Sequence, residues 1–457
     1  MTDLHEYDPA LAEAAGEGGG ADEIAVIVRL SADWVLPDGV RMVSRFGDIA
    51  TVRAPRERLA DIATCDSVLA LEASRPLRLV DAPPAEPDDD DAVPYLRRPP
   101  GVIGTGRGVV VAVLDWGIDL GHPAFRHDDG STRFLAFWDQ HGRPDAATAA
   151  RWGYGRIYQT DEIDRALQAP DPYRALGYHP ADADERDPES GEWKGAHGTH
   201  VLDIAAGNGR GGTMPGVVPE AHLVGVHLAR TARVLGRANL GDSATVLEAL
   251  DFAFAVAGDR PCAVNMSIGA HGGPHDGTTL VEQGIDRAIS LRPGRAVILS
   301  AGNYAAAQAH ARGRVQFGRD EVLRFTVPAE DPTGSELELY YASADRFTVL
   351  LVDPSHSVVA RVASGADGPI VSGDAVVGHI YHIERGANVD RHVDVFLNPG
   401  APAGVWQVRL LGEIIQDGRY HAWIERDRGL RPRFDRPNVD SGFTTGTLCN
   451  GRFAITV

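Results

Sequence analysis

Three short stretches of the chain each deliver one reactive side chain at the edge of an apolar element. The run VVVAVLD ends on Asp115 and turns at Gly117, GAHGTHV presents His197 at the start of a helix, and AVILSAGN places Asn303 just past a strand. A carboxylate that orients an imidazole, with an amide that donates to a developing oxyanion, is the apparatus of acyl transfer. Losing one such amide donor typically slows a reaction by roughly 10²–10³. Taken singly, each residue has a plainer role, because an aspartate after an apolar strand is commonly only a cap or loop residue. Their order and joint presence select the catalytic reading. The same weighing makes His200 structural, His271 and His275 loop histidines, and GDSATV a helix cap rather than a nucleophile motif.

The surrounding pattern predicts the elements that would carry these residues. Strands Val109–Asp115, AHLVGVHL, PCAVNMSI and RAVILSAG are near-continuous apolar runs, separated by helices HGTHVLDIAAG, GDSATVLEALDFAFAVA and TTLVEQGIDRAIS. Such alternation implies an α/β fold with a parallel sheet covered on both faces, whose ligands sit at the carboxyl ends of the strands. Residues 106–310 and 431–457 are assigned to this core. Residues 311–430 read as an inserted β-sandwich or jelly roll, with short strands such as VLRFTV, ELELYY and GVWQVRLL and no amphipathic helix between them. Residues 22–80 form a small α+β unit. The proline-rich, tetra-aspartate stretch within 81–105 is a linker, and residues 1–21 are an unstructured tail.

Composition narrows the partners. A net charge of -20 argues against nucleic acid or an anionic membrane, both of which need a basic face. No run reaches the ~18 apolar residues that span a bilayer. The N-terminus lacks the basic and apolar regions of a secretory signal, and Cys65, Cys262 and Cys449 are odd in number and far apart. Together these point to a reducing, cytoplasmic setting.

The motifs resemble those of subtilisin-like serine peptidases, the subtilases. VAVLDWGID matches the family's aspartate motif with Trp116 where Ser or Thr is usual, HGTHV its histidine motif, and SAGN its oxyanion-asparagine motif. VNMSIGA, Val264 to Ala270, resembles the strand that pairs with substrate. The resemblance spans residues 23 to 457. It implies that Asp115 fixes the tautomer of His197, that His197 is the general base, and that Asn303 stabilises the oxyanion. Ser267, Ile268 and Gly269 would pair with a peptide or protein substrate by strand addition. The Glu23–Leu79 unit resembles the family's inhibitory propeptide, and the β-rich insertion resembles the jelly-roll domain of the clostridial germination proteases. No cofactor is implied, and GNGRGGTMPG lacks the asparagine-rich pattern of the family's best-known calcium site, so no metal is expected.

The family's nucleophile sits in a Gly-Thr-Ser-Met-Ala-like motif, and these 457 residues contain none. Ser441 in VDSGFTTG has the wrong neighbours and precedes the strand RFAITV instead of following it. Losing the serine in subtilisin costs on the order of a millionfold in kcat. The expectation is therefore that this chain alone is not a competent peptidase. It is a truncated product, or one half of a split protease whose serine comes from a partner chain, or a pseudoprotease that only binds peptide; the intact Asp, His and Asn favour the first two. The segment EASRPLRLVDAPP should lie near the substrate cleft and stay attached, because no self-processing can occur. N-terminal sequencing of the purified protein should accordingly find no cleavage near Tyr95, and a mature N-terminus there would overturn the expectation.

Overall fold

The computed structural model describes residues 8–16, 18–79, 101, 103–180, 197–212, 214–228, 242–329, 333–384, 390–425 and 432–457; the linker expected at 81–105 lies almost wholly outside them. The first strong apolar pattern, EIAVIVRL, forms a strand in a small N-terminal unit. This unit comprises α1 (Pro9–Gly16), β1 (Glu23–Leu30), β2 (Arg41–Phe46), β3 (Ile49–Pro55), α2 (Leu59–Ala63) and β4 (Val68–Ala73), and leads into β5 (Arg78–Leu79). Its four longer strands make one sheet, in the order β2-β3-β1-β4. Part of the stretch read as an unstructured tail is the helix α1. Leu11 is fully buried among Val68, Leu71 and Ala73, and the Asp8 carboxylate accepts from the Ala10 and Ala73 N–H groups at 3.0 and 2.8 Å. Eight residues would not hold a helix alone, so tertiary packing supplies what local propensity lacks. The strand β2 was also not anticipated, because RMVSRF carries polar residues and pairs with β3 through a bulge between Met42 and Ser44.

The core contains β6 (Val110–Asp115), β7 (Phe134–Asp139), α3 (Ala146–Arg151), β8 (Arg156–Gln159), α4 (Thr160–Leu167), α5 (Pro172–Leu176), α6 (His197–Ala206), β9 (His222–His227), α7 (Ser243–Ala257), β10 (Cys262–Met266), β11 (Ile268–Gly269), α8 (Leu280–Ser290) and β12 (Arg295–Leu299). Strands β12, β10, β6, β9 and β7 are parallel neighbours in that order, and β8 adds an antiparallel edge beyond β7. Alternate residues of β6 face opposite layers. Val110, Ala112 and Leu114 pack towards α7 and α8, while Val111 and Val113 pack towards α6. Both faces are therefore covered, which is why VVAVL is apolar up to the closing Asp115. Leu114, Met266 and Leu299 stand in register across three strands, so β6, β10 and β12 end level. Val43, Phe46 and Ile49 of the N-terminal unit join the same cluster as α7 and α8, seating that unit on the core.

The inserted region is a pair of antiparallel sheets, from β13 (His310–Arg314) through β14 (Asp320–Val327), β15 (Ser335–Tyr341), β16 (Arg346–Val352), β17 (Val358–Val362), β18 (Asp367–Ser372), β19 (Ala375–Ile383), β20 (Arg391–Leu397), β21 (Gly404–Ile414) and β22 (Arg419–Glu425) to β23 (Arg433–Phe434). Leu337, Leu339 and Tyr341 of β15 fill the space between the sheets, so Glu336, Glu338 and Tyr340 face outward. That outer face is buried nonetheless, because the N-terminal unit and the core cover it. The Tyr381 hydroxyl donates to Glu13 of α1 at 2.7 Å, and Ala10 and Ala12 pack on Tyr381, Ile383 and Phe396. The chain then returns to the core sheet as β24 (Ile455–Thr456), parallel to β12.

Where the N-terminal unit meets α8, Glu72 accepts the Leu280 N–H at 2.7 Å. Burial, reinforced by the nearby Asp8 carboxylate, pushes the Glu72 carboxyl from its ordinary 4.5 up to about 8. The folded chain thus keeps a proton that the unfolded chain releases, and stability should fall as pH rises between those two values. Glu72→Gln keeps an acceptor for Leu280 and should flatten the decline in urea midpoint between pH 5 and pH 8. An unchanged slope would mean that another group titrates.

Candidate active site

Asp115 closes β6 with no exposure to solvent. Its carboxylate accepts the Trp116 N–H at 2.7 Å and faces His197 Nδ1 from both oxygens, at 2.8 and 3.0 Å. Burial raises the Asp115 pKa, and the hydrogen bond and charge of His197 act against that rise. A carboxylate oxygen accepts, so Nδ1 carries the proton, and in the neutral imidazole Nε2 then holds the lone pair. Among the described residues His197 Nε2 makes no hydrogen bond, and the His197 side chain is 36% exposed.

The start of α6 is locked onto the turn after β6. Gly198 N–H donates to the Trp116 carbonyl at 2.7 Å and Thr199 N–H to the Gly117 carbonyl at 3.3 Å, satisfying two amides that a helix start leaves unpaired. The Thr199 hydroxyl donates to the Gly117 carbonyl and accepts from the Asp119 N–H, both at 2.8 Å. Gly117 adopts φ 63°, the left-handed region that favours glycine. The Trp116 ring lies parallel to the imidazole, with centroids 4.4 Å apart and planes 8° apart, which walls one face of His197 with an apolar surface. The departure from the family motif at Trp116 was visible in the sequence; the stack that it makes was not.

The strand-pairing residues stand on the same sheet edge. Ser267, whose hydroxyl accepts from Asn265 Nδ2 at 3.1 Å, links β10 to β11, where Ile268 and Gly269 are buried. Strand β5 lies antiparallel to β11, with Leu79 opposite Ile268 and Arg78 opposite Gly269. Just upstream, Pro76 bridges to Asp242, and Leu77 is buried in the cluster that holds Ile268 and Ala270. The groove beside β11 therefore holds an extended segment of the chain itself. Asn303 follows β12, which flanks β10 on the side away from β6. With strands about 4.8 Å apart, the ends of β6 and β12 stand roughly 10 Å from one another. The loop bearing Asn303 is pinned because Ala301 N–H donates to the Val457 carbonyl and Gly446 N–H to the Ala301 carbonyl, at 2.7 and 2.8 Å. The Asn303 side chain does not cap the short helical turn that follows it.

His200 is exposed. His271 and His275 lie, as read, in a loop, the one between β11 and α8, and they tie that loop to the sandwich. His271 is buried against Tyr304, next to Asn303, with ring centroids 4.6 Å apart. His275 stacks on Trp423 at 4.3 Å, and its Nε2–H donates to the His271 carbonyl at 2.8 Å. Glu425 accepts the His271 and Gly272 N–H groups at 2.7 and 2.6 Å. Sequence reasoning missed this because the contacts join residues about 150 positions apart. Among the described residues no group of three or more His, Cys, Asp or Glu side chains is placed to hold a metal ion.

A wound parallel sheet with an Asp–His pair at its carboxyl edge, beside a strand that takes up an extended segment, is the architecture of a subtilisin-like peptidase. Residues 106–332 match the model of the subtilase family, and through this region the chain belongs to that family. The structure of the CspB protease of Clostridium perfringens is similar at 20% identity, covering 77% of this chain and 68% of that chain with a TM-score of 0.63, a likeness that concerns the fold. The lipase BlEst2 of Bacillus licheniformis in its propeptide form aligns at 9% identity over 70% of this chain and 75% of that chain, but its TM-score of 0.19 carries no argument. No curated protein matches the chain.

The geometry explains the glycine after the histidine. A Cβ on Gly198 would lie 2.7 Å from both Ile118 Cγ1 and the Trp116 carbonyl oxygen and 3.1 Å from Asp115 Cβ. Helix propensity favours alanine over glycine by about 1 kcal/mol, whereas overpacking costs about 1–3 kcal/mol. Gly198→Ala should therefore lower the urea midpoint and alter Trp116 fluorescence as α6 lifts from β6. A stabilised variant would contradict this reading.

Proposed function

We propose that the chain supplies the acid, the base and the oxyanion donor of a serine endopeptidase. Its subtilase membership supports a serine peptidase in general terms. The observation that carries the finer reading is the 2.8 Å bond between His197 Nδ1 and Asp115, beside a strand that already pairs with an extended segment. In this reading Asp115 holds the imidazole so that Nε2 can take a proton from a nucleophile. The Asn303 amide meets the oxyanion, and Ser267, Ile268 and Gly269 align the substrate. The nucleophile belongs to a segment outside these 457 residues, either continuous with them or on a partner chain. Two facts support this: the 457 residues hold no Gly-Thr-Ser-Met-Ala-like motif, and among the described residues no serine hydroxyl bonds to His197 Nε2. We place the activity in a reducing, cytoplasmic setting, on the strength of the three unpaired cysteines. Among the described residues no helix is long and apolar enough to cross a membrane.

A catalytically silent peptide-binding role is favoured by one specific observation, the occupation of β11 by Arg78 and Leu79. Fluorophosphonate labelling separates the two readings. The chain alone should stay unlabelled. Adding the product of a neighbouring gene that carries a Gly-Thr-Ser motif should restore labelling, and His197→Ala should abolish it. Labelling of the chain alone in a His197-dependent manner would refute the missing nucleophile, and failure with every such segment would leave the silent binder.

A further inference from the structure

Upstream of β5 the chain makes a contact that backbone pairing does not require. The Arg75 guanidinium leaves the groove and enters a pocket on the sandwich. There it donates to Glu336 Oε1 at 2.6 Å, to Glu338 Oε1 at 3.0 Å and to Asp8 Oδ1 at 3.1 Å. Its backbone is held as well: Arg75 N–H donates to Ser243 Oγ at 3.0 Å, and its carbonyl accepts the Ser243 N–H at 2.9 Å. The pocket belongs to a cavity of about 100 Å³ where the N-terminal unit, the core and the sandwich meet.

The sandwich face gathers Glu336, Glu338 and Asp394, with His392 Nε2 3.4 Å from Glu338. Glu336 and Glu338 share the outer face of β15, and Glu338 pairs directly across the sheet with Asp394 of β20. Asp394 is fully buried and both of its carboxylate oxygens lack a hydrogen-bond partner; burial, with Glu336 and Glu338 beside it, pushes its carboxyl well above the usual carboxylate range and favours the neutral form. The Tyr340 hydroxyl donates to Glu338 Oε2 at 2.6 Å, which fixes that carboxylate. Buried carboxylates without a positive partner are strongly unfavourable, and Arg75 is the partner that Glu336 and Glu338 share, with His392 beside Glu338 only. Arg75 Nη1 donates to both Glu336 and Glu338 while Nη2 reaches Asp8, so the planar guanidinium spans the carboxylates of the sandwich and of the N-terminal unit at once, which a compact ammonium does less well.

We propose that this pocket is a substrate subsite that selects an arginine four residues upstream of the residue facing Ile268, with Arg75 as its present occupant. The proposal rests on the reading that β11 takes up an extended substrate. Leu79 faces Ile268, Arg75 lies four positions earlier, and Leu77 between them is buried in the core. The substrate class is thus a protein segment of the form Arg-x-Leu followed by two residues along β11, read jointly by the core and the sandwich.

The test uses the full chain carrying Arg75→Glu and Leu77→Asp, which expel the native segment while leaving the pocket intact. A labelled peptide, ASRPLRLVD, should bind this chain roughly 10- to 100-fold more tightly than ASQPLRLVD, the range that charge-assisted hydrogen bonds supply. Adding Glu336→Gln and Glu338→Gln should erase the difference. Equal binding of the two peptides would overturn the subsite while leaving the groove reading intact. Failure of both to bind, with hydrogen exchange showing the Ile268 and Gly269 amides unprotected, would overturn the groove reading and the subsite with it. If the double variant does not fold, Arg75→Glu alone serves, because it sets a further carboxylate among those of the pocket.

Discussion

A carboxylate without access to water is stable at the end of a buried strand only if donors meet it, and Asp115 depends on two: the Trp116 N–H and His197 Nδ1. Much of the local structure follows from that requirement. The helix α6 must approach β6 closely enough for its first residue to reach the carboxylate, so no side chain fits at Gly198. The turn after β6 must offer its carbonyls to the free amides of the helix start, which draws Gly117 into the left-handed region. Trp116 then lies flat on the imidazole and limits its rotation. The bond serves structure and chemistry together, since the orientation that satisfies Asp115 also aims Nε2 outward.

The other two units both reach the loop that follows β11, or β11 itself. The N-terminal unit sends β5 along it, and the sandwich holds the loop that follows it through Glu425, His275 and Trp423. Arg75 ties these two units together, because its backbone is held by the core and its side chain by the sandwich. The groove is therefore a three-part assembly in which the insertion is a wall. A change in any of the three units would be felt at the strand that receives the peptide.

The sequence carried the sheet clearly, because doubly buried strands are near-continuous apolar runs and β6, β9, β10 and β12 each read that way. It carried Asp115, His197 and Asn303 through motif spacing, and the level strand ends explain how residues almost 200 positions apart reach one edge. Other features depended on long-range packing. The helix α1 exists because Leu11 finds a site on β4, and β2 because β3 is beside it. In SELELYY the alternation reveals a strand but says nothing of what its acidic face meets. Only the fold shows that face buried against Arg75. His271 and His275 do lie in the loop after β11, and only the fold shows that loop held against Trp423 and Glu425 of the sandwich.

The most direct measurement is nitrogen-15 NMR of the imidazoles at about pH 8, with His197 assigned through His197→Gln. The expected result is a His197 protonated at Nδ1 and bare at Nε2, with a slowly exchanging Nδ1 proton that disappears in Asp115→Ala. An imidazole protonated at Nε2, or one indifferent to removal of Asp115, would contradict the pairing from which the rest of the site is built.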